Sequence, residues 1–317
     1  MTKQPLTISY ADCARILDEV QAKSDNYQRL WQNRPAGQSL AETMAEVRRN
    51  VDPDRPFFFG KLPSGINFAG DARDFPAVLH AICPDCNAML INGLIEEIRG
   101  REGEVFDIGT NIGVVAATLA RQMGSRGHVH AFEPSPETIK VAAATLALNG
   151  LDNFTLTEAA VSDRDGEMTF QATPGNSAIA SASRHDFPFL NEWVQIVVPM
   201  RRVDTLASER DCDNLVLIKI DVEGHELKVL RGATSTIRKF KPTVVYEYTP
   251  VAATSHGWTG KDSVSLLQSA IPFSFEALIE QPLGGIFGGQ TVPFPLPEGV
   301  HDQVNVFARP VNCAVSS

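Results

Sequence analysis

Between residues 103 and 271, short apolar runs alternate with longer stretches whose apolar positions recur at helical spacing. The runs at 104–108, 128–132 and 153–157 predict strands. The stretches at about 112–123 and 135–149 predict the helices between them. LVLIKI (215–220) reads as a fully apolar, buried strand. ELKVLRGATSTIRKF (226–240) then reads as a helix, TVVYEY (243–248) as a strand and KDSVSLLQSAI (261–271) as a helix. FSFEALI and QVNVFARP predict a last pair of strands, antiparallel to each other. This rhythm implies an α/β fold with a doubly wound, mostly parallel sheet. Residues 160–204 depart from it. GEMTFQAT and WVQIVVPMRRV alternate like antiparallel strands and predict an inserted β-hairpin.

The first hundred residues follow a different pattern. Ile16, Leu17 and Val20 recur at helical spacing, as do Leu40, Met44 and Val47, and Arg34-Pro35-Ala36-Gly37 breaks the run. RPFFFGKLPSGINFAG (55–70) predicts a hairpin with a Pro-Ser-Gly turn, and 86–99 predicts a helix. The expected division is a helical N-terminal cap (1–85), covering a cofactor or forming a dimer surface, then a catalytic domain (86–310) and a tail (311–317). At 317 residues and 43% hydrophobic, the chain can bury such a core. Its net charge of −10, with no cluster of Lys and Arg, excludes a nucleic-acid footprint. No signal peptide and no apolar run of the ~18 residues that span a bilayer is visible. Five cysteines, an odd number, fit reduced thiols in the cytoplasm.

The chemistry concentrates at two places. VFDIGTNIGVVA (105–116) is an apolar strand running into Asp107, a tight turn with Gly109 and Gly113, and a helix. The glycines let backbone turn sharply close to a ligand. HVHAFEPSP places Glu133 at the end of the next strand, where a carboxylate accepts both ribose hydroxyls. The spacing is not the G-x-G-x-x-G that brings N–H groups against a pyrophosphate, which disfavours a nicotinamide or flavin site. An acid before the turn repels phosphate but suits S-adenosylmethionine (SAM), which carries an ammonium, a sulfonium and a ribose. The second place is IKIDVEGHELKVLRGA (218–233). Asp221 ends a strand, Glu223 and His225 sit in the following turn, and Glu247 ends the expected neighbouring strand. Ligands of doubly wound sheets bind outside the carboxyl ends of strands, so these groups point into the crevice of Gly109. Acids gathered at such a mouth are costly unless they hold something. Glu226 reads as an acid favoured by the helix dipole.

VFDIGTNIG, AFEPSP, AAVSDRDG, VPMRRVDTL, IKIDVEGHELKVLRGA and PTVVYEY together resemble the FkbM family of SAM-dependent methyltransferases. The resemblance covers about residues 85–250, with Thr110 where the family usually has alanine. It implies the class I methyltransferase fold, a seven-stranded sheet with an antiparallel last strand. It also implies O-methylation of sugar or natural-product hydroxyls. Asp107, Gly109, Asn111 and Gly113 would form the methionine-side loop, Glu133 would bind ribose, and the turn from Ala160 to Asp163 would sit near adenine. Asp221 or His225 would act as base, with Glu223 or Glu247 orienting the hydroxyl. Alternatively a divalent cation (Mg or Mn) on Asp221 and Glu247 would lower the hydroxyl pKa. N-methyl transfer to an amine, a nucleotide-linked oxidoreductase and a non-catalytic SAM-binding module are the competing readings. His80, Cys83 and Cys86 offer three ligands where structural zinc takes four, so ordinary packing is expected there. His128 and His130 read as structural, and GGIFGGQ (284–290) as a flexible loop over the acceptor site.

Overall fold

A computed structural model describes residues 4–27, 31, 37–172, 177, 194–283, 286–296 and 303–311. The predicted break at 34–36, the pair Gly284-Gly285 and the tail from 312 lie outside them, as does most of 173–193. Three strands come early: β1 (Leu6–Ile8), β2 (Phe57–Lys61) and β3 (Asn67–Asp71). The alternating region supplies β4 (Gly103–Ile108), β5 (Gly127–Phe132) and β6 (Phe154–Glu158). β7 (Ala160–Ser162), β8 (Gly166–Ala172) and β9 (Val194–Arg202) follow. β10 (Leu215–Ile220), β11 (Thr243–Tyr248), β12 (Phe273–Leu283), β13 (Ile286–Pro293) and β14 (Val304–Pro310) complete the set.

The main sheet has nine strands in the order β1-β6-β5-β4-β10-β11-β14-β12-β13. β6, β5, β4, β10 and β11 are mutually parallel. β14 runs antiparallel between β11 and β12. The seven strands from β6 to β12 carry the expected arrangement, and the expected count is corrected to nine by one strand at each edge. β1 adds itself antiparallel to β6, so the N-terminal region is not purely helical. β13 pairs with β12 along its length, from Glu276 opposite Pro293 to Leu283 opposite Ile286. Residues 286–290 are therefore strand, not flexible loop. Glycine-rich sequence hides such a strand because the ladder bonds are made by backbone, whatever the side chain.

Alternate residues of each central strand feed opposite faces. Val105, Val129, Leu217 and Val245 pack on one side with the helices Val114–Met123 and Thr138–Leu148. Phe106, Phe132, Ile218 and Val244 pack on the other with Val229, Ile237 and Leu267. The N-terminal residues are tied to the first face. Ser9 caps the helix Tyr10–Ala22 with a capping box, and that helix buries Cys13 and Val20 in the same cluster as Ile139. The β2–β3 hairpin lies against it too, where the Thr145 hydroxyl accepts from Ala69 N–H at 3.0 Å. The predicted inserted hairpin is present as β8 and β9, with β7 added parallel to β9. No helix among the described residues is long and apolar enough to cross a membrane.

Candidate active site at the carboxyl ends of the parallel strands

The turn after β4 is held by backbone. Gly109 and Thr110 N–H both donate to Phe132 O at 3.0 Å, which draws the turn to the end of β5. Gly109 (φ 78°), Asn111 (φ 51°) and Gly113 (φ 83°) all occupy the left-handed region. A Cβ on Gly109 would stand 1.8 Å from Asp221 O, so only glycine lets this turn lie against the end of β10.

Glu133 reaches back under the turn. It is 7% exposed, and its Oε2 and Oε1 accept from Asn111 N–H (3.1 Å) and Ser135 N–H (3.0 Å). Each oxygen keeps a second lone pair for a further donor. Burial pushes the carboxyl up to about 7, against those two backbone hydrogen bonds. Asn111 also bonds the Ser177 hydroxyl (3.0 Å), and Ser177 donates to Asp74 by its N–H (2.6 Å) and hydroxyl (2.9 Å). Burial raises Asp74 to about 6. Neither Asp74 nor Ser177 carried a motif that would have marked it.

The strand expected to be fully apolar holds a buried cation. Lys219, 4% exposed, points its Nζ to Asp221 Oδ2 (3.1 Å) and to Asp107 Oδ1 (3.7 Å). Thr110 donates to Asp107 Oδ2 at 2.7 Å, while Asp107 Oδ1 has no hydrogen-bond partner. Burial works against the Lys219 charge, but Asp221 and Asp107 outweigh it and hold the amine up at about 12. Asp107 is itself shifted upward, because burial exceeds what Lys219 returns. Both shifts point upward since one lysine faces several carboxylates.

Carboxylate oxygens of Asp221, Glu223 and Glu247 come within 4.8 Å of one another. Glu223 sits at φ 55° in the turn after β10, and Glu247 lies on β11 as a buried acceptor from Gln303. Burial first, then the charges of Glu247 and Asp221 on Glu223, and of Asp221 and Glu226 on Glu247, hold both glutamates well above the usual carboxylate range. Glu226 accepts from Val222 N–H (2.9 Å) and Gly224 N–H (3.1 Å), and so clamps the turn that presents them. Trp258 donates to Gly224 O at 2.8 Å from behind.

His225 does not join this group. Its Nε2 bonds the Ser162 hydroxyl at 2.8 Å, and Asp163 accepts from the same hydroxyl at 3.3 Å. Burial lowers the imidazole to about 4, which keeps it neutral. With Gly109, Phe132, Ala160, Val161 and Phe170, His225 lines a largely apolar cavity beside the glycine turn. His80 and Cys86 are neighbours, Nδ1 to Sγ 3.7 Å, but with Cys83 they form none of the three-ligand clusters among the described residues.

A doubly wound, mostly parallel sheet with an antiparallel strand inserted toward one edge, a glycine turn after its first central strand and an acid after the next is the class I methyltransferase fold. Within it the chain belongs to a particular family: residues 107–271, over half of its 317, match the FkbM methyltransferase domain. The 2-O-methyltransferase NoeI of Sinorhizobium fredii is 31% identical over 146 residues, covering 43% of this chain and 59% of that protein. The hexuronic acid methyltransferase AglP of Haloferax volcanii is 25% identical over 156 residues, covering 49% and 60%. The matched stretch thus spans less than two thirds of either relative. The crystal structure of a methyltransferase FkbM from Methylobacillus flagellatus aligns over 65% of this chain and 43% of its own, at 16% identity and a TM-score of 0.42.

Proposed function

We propose that the protein is an O-methyltransferase that moves a methyl group from SAM to a hydroxyl of a sugar or glycan. The observation that carries this reading is the convergence of Asp221, Glu223 and Glu247 within 4.8 Å, against a turn built for a ribose-bearing ligand. SAM, when bound, supplies an electrophilic methyl group on sulfonium. The residues fit it. Glu133 has free lone pairs for two ribose hydroxyls, and Asp107 Oδ1, 3.7 Å from Lys219 Nζ, is a buried acceptor without a hydrogen bond, suited to the ammonium end. The cavity walled by Ala160, Val161 and His225 suits the flat, largely apolar adenine.

At the acceptor side, carboxylates are acceptor-only groups and hold hydroxyl hydrogens. An O–C bond forms as the S–C bond breaks, and the hydroxyl proton passes to a carboxylate. Glu223 and Glu247, with proton affinities raised by burial above the usual carboxylate range, suit that transfer better than Asp221, which is tied to Lys219. His225, turned to Ser162, is assigned to the adenine wall instead of the base. The names of the two relatives favour oxygen and a sugar acid as acceptors. We assign acceptor choice to the residues outside the family match, before 107 and after 271.

The test is transfer of labelled methyl from SAM to a panel of sugars and to matched amino sugars. Label in a sugar ether supports the reading; label only on nitrogen, or none from folded protein, overturns it. Three carboxylates are also a ligand set for a hard divalent cation. Activity that survives EDTA keeps the proton on carboxylate; activity lost and restored by magnesium moves the role to metal.

A further inference from the structure

The amino ends of the same strands carry a second cluster, of different chemistry. Glu104 lies near the start of β4 and His130 on β5, and the register places Glu104 opposite His128 and Phe106 opposite His130. Glu104 and His130 therefore stand on one face of the sheet. Cys212 enters that face from the turn before β10. His130 Nε2 is 3.0 Å from Glu104 Oε2, and the Cys212 thiol donates to the same oxygen. Sulfur, imidazole nitrogen and carboxylate oxygen all lie within 4.8 Å of one another.

We propose that Glu104, His130 and Cys212 bind a borderline-soft divalent ion of the zinc type. Thiolate, imidazole and carboxylate are the side chains such an ion takes. With bonds of ~2.0–2.3 Å, tetrahedral ligand atoms stand roughly 3.5 Å apart, so small side-chain shifts within the 4.8 Å cluster suffice. The charges also balance. Cys212 gives up the thiol proton it donates to Glu104, the proton leaves to solvent, and thiolate plus carboxylate neutralise the ion.

The imidazole is held ready. It is 6% exposed, with the Phe106 ring at 5.2 Å and the His128 ring at 4.8 Å, and its Nδ1 is buried without a partner. Arg210, the neighbouring cation, is turned to the Phe132 ring (5.2 Å) and to Thr157 Oγ1 (3.0 Å). The Glu104 side chain, 23% exposed, leaves a way in from solvent, whose water would be the fourth ligand. Bound there, the ion would staple three segments far apart in sequence, in the way structural metal contributes to folding free energy. The set differs in kind from the all-carboxylate cluster at the other end of the sheet, which selects hard ions.

Cobalt reports on this directly, because a thiolate ligand adds a sulfur-to-cobalt charge-transfer band in the near ultraviolet that oxygen ligands do not give. The 317-residue chain, reduced and stripped with chelator, is titrated with Co2+ and then Zn2+. One equivalent of cobalt should produce the band, zinc should abolish it, and zinc should raise the melting temperature of the wild type. Cys212→Ser should lose the band while staying folded by thermal melt, and Cys86→Ser should keep it. Glu104→Gln should weaken cobalt at least ~10-fold, the lower range for perturbing a metal's surroundings. Absence of the band in wild type, or a band that survives Cys212→Ser, overturns the proposal. A band lost instead with Cys86→Ser would move the metal to the His80 neighbourhood and overturn it equally.

Discussion

Glu133 and Glu247 are equally buried, 7% exposed each, on opposite flanks of β4 and β10, yet they are prepared for different work. Burial raises Glu133 to about 7, against the pull of the two backbone N–H groups that meet it. Glu247 is met by the Gln303 amide and by other acids, and rises well above the usual range. Burial alone therefore does not decide a carboxyl's role. In the proposed function, fixed N–H donors make one into an acceptor for hydroxyls, and burial with crowding by like charge makes the other a group that trades protons. Lys219 stands between the halves, reaching Asp107 on one side and Asp221 on the other.

Removing that bridge should have the largest effect. Lys219→Met leaves two carboxylates without their cation and should cost about 3–5 kcal/mol, the range for breaking a buried ion pair from one side. Urea unfolding measures it. A loss below ~1 kcal/mol would show that the two halves do not depend on a shared charge. Next comes chemistry: Glu247→Gln should lower turnover ~100-fold, within the range of general acid–base catalysis, with SAM affinity nearly unchanged. A parallel loss of SAM affinity in calorimetry would merge the two halves into one site.

Glu133 should make SAM binding depend on pH. In the proposed function its carboxylate form would accept the ribose, so affinity should fall ~10-fold for each unit below about pH 7 and level off above it. Calorimetry at pH 6, 7 and 8 checks this, and Glu133→Gln should flatten the slope. Stability of the ligand-free protein carries the opposite sign. Since the folded value is raised, the contribution from Glu133 is fully present below the unfolded carboxyl range near 4.5 and is lost as pH rises through about 7. The smallest effect is expected behind the acid turn, where Trp258→Phe removes one hydrogen bond to Gly224 O and should cost ~1 kcal/mol.

Much of this was legible in the chain. The glycine turn announces itself because backbone at Gly109 and Gly113 needs positive φ, and the acids at 107, 133, 221 and 247 follow from where strands end. What was hidden was non-local. Lys219 passes unremarked in LVLIKI, which reads as fully apolar, because a buried lysine needs partners and one of them, Asp107, lies over a hundred residues away. His225 stood beside Glu223 in sequence, but the turn directs it to Ser162, a contact no local spacing encodes. β1 and β13 escaped because edge pairing is a backbone transaction, weakly marked in side chains.

The tight seat of Gly109 on Asp221 O carries a consequence for how this fold diversifies. The two loops touch main chain to main chain, with no side chain between them to lengthen or shorten. Under the proposed function, the gap between the methyl donor and the acids would be a fixed ruler, cut into the backbone at Gly109 and Asp221. The segments assigned above to acceptor choice, such as the β2–β3 hairpin and the β12–β13 edge, could then be rebuilt without moving this seat.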